Sequence, residues 1–83
     1  MNMVLDRFIG QFEDAIDGLH TGTVVKDTRF RMLEEWSSLA VLTVLAMVEE
    51  EYGLHVSGCE LEESETVEAL FNVIVGKARS GSD

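Results

Sequence analysis

The chain has no proline, one cysteine, one tryptophan and only six basic residues, and each shortage closes off a class of structure or function. With no proline to break a helix, and with several stretches of 3.6-residue periodicity, an all-α fold is the default. The lone Cys59 excludes an intrachain disulfide framework and a multi-cysteine metal site. Nucleic-acid binding needs clustered cations, but Arg7, Lys26, Arg29, Arg31, Lys77 and Arg79 are few and all lie outside residues 32–76. No apolar run is long enough to span a membrane, and Met1–Gly10 lacks the basic-then-apolar pattern of a signal segment. A cytoplasmic monomer is the expectation.

What the chain does have is negative charge and apolar residues in helical register. Residues 32–76 carry ten carboxylates and no Lys or Arg, within a net charge of −10. That field disfavours nucleic acid and an anionic membrane surface, and it steers in basic protein partners. An apolar content of 46% over 83 residues supports one folded domain, placed at residues 1–79, with 80–83 as a frayed tail.

Four helices are expected. In the first, over residues 3–17, Val4, Leu5, Phe8, Ile9, Phe12, Ala15 and Ile16 recur on one face, leaving Arg7, Gln11, Glu13 and Asp14 to water. Residues 18–36 then form a long connection pinned by Val24, Val25, Phe30 and Leu33, with a short helical turn around Asp27–Leu33 and Trp36 packing beside the next helix. That second helix is the centre of the chain. Ser37 is its N-cap, Ser38 its first, solvent-facing residue, and Gly53 its left-handed terminator. Val41, Val44, Leu45, Val48 and Tyr52 fall on one face. The opposite face carries Leu39, Thr43, Ala46, Met47 and Glu50, so this helix is apolar nearly all round and has something to touch besides its own core. Ser57-Gly58-Cys59-Glu60 matches a capping box and predicts a short third helix over 58–63. The last helix, over 66–78, buries Val67, Leu70, Phe71, Ile74 and Val75.

Ser38-Leu39, nine residues, then Glu49-Glu50-Glu51-Tyr52-Gly53-Leu54-His55-Val56 resembles the acyl carrier protein pattern Asp-Ser-Leu … Glu-Glu-Glu-Phe-Gly-Ile-x-Ile. Asp27-Thr28 … Phe30 … Leu33 is similar to the loop leading into that motif, and Thr66-Val67-Glu68-Ala69-Leu70 to the start of the family's last helix. The resemblance spans residues 4–76. It implies a four-helix carrier-protein bundle, three longer helices and one short third helix with a long first connection. It also implies that a phosphopantetheinyl transferase moves 4′-phosphopantetheine from coenzyme A onto Ser38. The group would then hold an acyl or aminoacyl thioester, loaded by a ligase and presented to downstream acyl-transfer enzymes; the protein itself would not be an enzyme. A cargo chain would withdraw between residues such as Val41, Leu45, Leu70 and Ile74. Partner docking is assigned to Ser37, Leu39, Ala40, Thr43, Met47 and Glu50. One departure stands out: the family's aspartate before the serine is Ser37 here, and an unmodified acidic carrier-fold interaction module is the alternative.

The remaining chemistry-bearing residues read as ordinary. Glu49-Glu50-Glu51 points in three directions around a helix, where a hard cation needs converging oxygens. His20 and His55 have no partner pattern and read as surface histidines. Cys59 reads as a small, partly buried apolar residue.

Overall fold

The computed structural model describes residues 4–80. Among them are four α-helices and no strand: α1 (Leu5–Ala15), α2 (Ser38–Tyr52), α3 (Gly58–Glu63) and α4 (Val67–Ser80), with a 3-10 turn at Phe30–Met32. α1 packs against both α2 and α4, and α3 lies on α4. The result is a small helical bundle whose one core draws on every helix and on the first connection.

The helix ends follow from local chemistry. Gly53 stops α2 in the left-handed conformation (φ 67°), and its N–H bonds back to the Glu49 carbonyl. The Ser57 box is complete: Ser57 Oγ accepts from the Glu60 N–H at 3.1 Å while Glu60 Oε1 accepts from the Ser57 N–H at 2.9 Å. Those bonds and the Lys77 ammonium, 2.9 Å from Glu60 Oε2, hold the Glu60 carboxyl below its ordinary range, the backbone N–H being the larger cause. Thr66 caps α4 by accepting from the Ala69 N–H. α1 ends two residues earlier than its periodicity predicts, because Ile16 is extended and turns into the core. Met3, the predicted start of that helix, lies outside the described residues. α4 runs on through Ser80, assigned from sequence to the frayed tail, and the rest of that tail also lies outside them.

Aromatic rings run the length of the core. Phe8 meets Tyr52 at 6.1 Å and Phe71 at 5.4 Å between centroids, and Phe12 meets Phe30 at 5.5 Å. Trp36 stacks on Phe12 and sets its edge on Phe30. The early part of α1 therefore touches the end of α2 and its later part touches the approach to α2, so the two helices run antiparallel. Fully burying each such ring contributes about 1.5–3 kcal/mol.

Two sequence expectations are corrected here. Glu13 is not on the wet face: it is only 5% exposed, and Oε2 accepts from the Gly22 N–H at 3.0 Å and the Val24 N–H at 2.9 Å. A buried carboxylate is tolerated because two backbone donors of the first connection satisfy it. Cys59 is exposed rather than partly buried, since two-turn α3 turns only Leu61 fully inward.

The first connection is thus no free loop. Glu13 holds its near end and buried Val24 and Phe30 anchor its middle, whereas Val25, also expected as an anchor, is exposed. Its carbonyls at Thr28 and Lys26 accept from the Val67 and Glu68 N–H groups. Those are donors that the first turn of α4 cannot pair internally.

Candidate functional site at the start of α2

The connection delivers the chain to α2 in a fixed orientation, because Trp36 packs on both Phe12 and Phe30, which also touch each other. Ser37 follows in an extended conformation (φ −151°, ψ 175°), and its Oγ accepts from the Ala40 N–H at 3.2 Å. Ser37 is therefore committed to capping. Ser38 is the first helical residue, exposed, and its hydroxyl has no hydrogen-bond partner among the described residues. Of two adjacent serines, one is structural and one is free.

The electrostatics of this helix start are unusual for so acidic a chain. α1, α3 and α4 each place a carboxylate in the first turn, at Asp6, Glu60 and Glu68, where it meets the positive end of the helix dipole. α2 places none. The N–H groups of Ser38 and Leu39 have no intrahelical acceptor and no neighbouring carboxylate cap, so this terminus retains its capacity for an anion.

The residues assigned to docking divide into three groups. Leu39 is 63% exposed on the outer face of α2, beside Ser38. Leu42, which sequence reading did not single out, is 64% exposed one turn on from Ser38. The i, i+4 spacing from Ser38 was the available signal for it. Thr43, Met47 and Glu50 lie instead on the α1 side, where they line a groove of about 350 Å³ with Gln11, Asp14 and Ala15. Met47 is half-buried against the core, and the Thr43 hydroxyl donates to the Ala40 carbonyl within the helix. Ala40 presents almost no surface to a partner. It is 4% exposed, on the Ala40–Val44–Val48–Tyr52 stripe that faces the core, and its small side chain allows close packing of the first turn.

The expected lining for a withdrawn cargo chain also divides, with Leu70 and Ile74 fully buried and Val41 and Leu45 at the edge of the core. Glu49, at the far end of the outer face, is 3.0 Å from His55 Nδ1, both exposed; His55 thus has a carboxylate partner that its sequence context did not show. Among the described residues no helix is long and apolar enough to cross a membrane.

No protein-family model, curated protein or solved structure matches the chain.

Proposed function

We propose that this protein is a carrier of the acyl carrier type, with Ser38 as the point at which 4′-phosphopantetheine is attached. The single observation that carries the reading is the division of labour at the start of α2: Ser37 is spent on the cap, whereas the adjacent Ser38 hydroxyl is exposed and unpartnered. The residues fit such a group. A phosphodiester on Ser38 would sit at the one described α-helix start with no first-turn carboxylate, next to backbone donors that favour an anion. When attached, the group would supply a terminal thiol able to hold an acyl or aminoacyl cargo as a thioester. The chain's own contribution is recognition and reach: the packed Trp36 fixes where the attachment point faces, and exposed Leu39 and Leu42 offer an apolar contact beside it. Partners on this reading are a phosphopantetheinyl transferase, a loading ligase and downstream acyl-transfer enzymes. The carrier-protein version of the helical bundle, with its long first connection, belongs to the same proposal.

The second reading, an unmodified acidic interaction module, is favoured by one feature, Ser37 in place of the aspartate expected beside the attachment serine. Intact mass after co-expression with a broad-specificity phosphopantetheinyl transferase separates the two. The carrier reading expects a gain of one phosphopantetheine group that is lost completely in Ser38→Ala and kept in Ser37→Ala. No gain in the wild-type chain, or a gain that survives Ser38→Ala, overturns the assignment.

A further inference from the structure

α4 has a second stripe besides the one that fills the core. Phe71, Asn72, Val75, Ala78 and Arg79 follow one another at i, i+1, i+4, i+7 and i+8, and so share a face. With Tyr52 and Leu54 at the end of α2 they line a cavity of about 730 Å³, within the size range of small-molecule sites. It lies at the opposite end of α2 from Ser38. Its composition is graded by depth: Tyr52 and Phe71 are buried, Leu54, Val75 and Ala78 are half-buried, and Asn72 and Arg79 are exposed.

The charge at this cavity runs against the rest of the molecule. Lys77, on another face of α4, is paired with Glu60, but Arg79 has no ion-pair partner among the described residues. Burial is the main influence on the Tyr52 hydroxyl, which also feels Arg7 of α1 and, with the opposite sign, Glu51. That hydroxyl is already engaged, donating to Gln11 Oε1. Glu51, the nearby carboxylate, lines the α1–α2 groove instead and accepts from Gln11 Nε2. A hollow lined about equally by polar and apolar surface, with an unpaired guanidinium on its rim, is complementary to a molecule with an apolar tail and one anionic head. The planar fork of arginine matches a carboxylate in particular.

We infer that this cavity binds an anionic amphiphile, a single-chain carboxylate whose tail lies along Leu54, Phe71, Val75 and Ala78 and whose head meets Arg79. The site does not involve Ser38 and stands or falls independently of the carrier reading.

The test is a titration of the full, isotope-labelled chain with dodecanoate below its critical micelle concentration, followed by amide and methyl NMR shifts. Dodecyltrimethylammonium, with the same tail and the opposite head, and butyrate, with the same head and a short tail, serve as comparisons. Saturable shifts centred on Leu54, Val75 and Ala78 are expected with dodecanoate, and much weaker ones with either comparison compound. Arg79→Glu should weaken dodecanoate about three- to tenfold, the scale of removing and reversing one exposed charge contact. Ala78→Trp, which fills the hollow, should remove the response while circular dichroism shows the helices intact. Equal binding of the cationic amphiphile, indifference to Arg79→Glu, or shifts centred on Leu39 and Leu42 would overturn the assignment. So would the absence of saturable shifts.

Discussion

α2 and α3 both begin at a serine that accepts the N–H three residues on, Ser37 from Ala40 and Ser57 from Glu60. There the likeness ends. At α3 the bond is reciprocated: Glu60 reaches back to the Ser57 N–H and is itself held by Lys77 from α4. Donor, acceptor and charge are all matched within a few ångströms. At α2 the residue at the position of Glu60 is Ala40, which is turned into the core, and the residue after the cap is an exposed serine. The same capping chemistry yields one closed helix start and one open one. A closed terminus stabilises, whereas an open one leaves donors and a hydroxyl available to something outside the chain. The difference locates the candidate site more sharply than the serine pair does.

The largest expected effect falls on the connection that holds the open terminus in place. Glu13→Ala removes the acceptor for the part-buried Gly22 and buried Val24 N–H groups, and stranding a buried donor costs about 1–3 kcal/mol. Chemical denaturation should show that loss, whereas neighbouring exposed Asp14→Ala should change stability by about 0.5 kcal/mol or less. If the two variants are equally stable, the connection is not anchored through Glu13 and the orientation of Ser38 owes nothing to it.

A smaller effect is expected at the closed terminus. Glu60→Ala should cost about 1 kcal/mol, the usual scale for losing cap interactions. Because the folded state holds the Glu60 carboxyl below its ordinary value, its contribution is present above the unfolded-state carboxylate pKa. It is lost as pH falls through the depressed folded value. The gap between wild type and Glu60→Ala should therefore narrow in acid when unfolding is followed across that range. A gap that widens in acid would contradict the box as described.

No loss of stability is expected from Ser37→Asp, which places a carboxylate at the N-cap of α2, the one α-helix with none in its first turn. A carboxylate remains a good cap and suits the dipole, so stability should hold or rise by up to about 1 kcal/mol. Under the carrier reading the same change should speed loading by a general-purpose transferase. A stabilised protein loaded no faster would show that the missing aspartate is no handicap, and would separate cap chemistry from enzyme recognition.

These regions also differ in how far they were legible in the sequence. α3 was predicted at 58–63 and is found at Gly58–Glu63, because a capping box is complete within four residues. The limits of α2 were equally readable, since Ser37 and Gly53 act on their own immediate neighbours. Glu13 was misread because a helical wheel knows only that it is charged. Its partners lie in the following connection, beyond any local window. Ala40 was misplaced for a different reason. Its docking role came with the carrier resemblance and not from the wheel, and a small residue four before Val44 carries too little hydrophobic weight to reveal that it lies on the buried stripe. Leu42 shows the limit from the other side: its exposure depends on which neighbours α2 lacks, and that is a property of the whole bundle.

The two bonds from the first turn of α4 to the Thr28 and Lys26 carbonyls bear on the order in which the molecule can be made. All of α2 and all of α3 lie between the two halves of that junction. It is a clasp on a ring, and a ring cannot be clasped until its contents are short enough to let the ends meet. Coiling α2 and α3 into helices shortens the intervening chain, so their formation lowers the entropic cost of closure. Until the clasp shuts, the stretch leading to Ser38 has only its own anchors. On a growing chain the connection would therefore gain this last restraint only after the start of α4 has emerged, although the stretch it steadies is encoded before the middle.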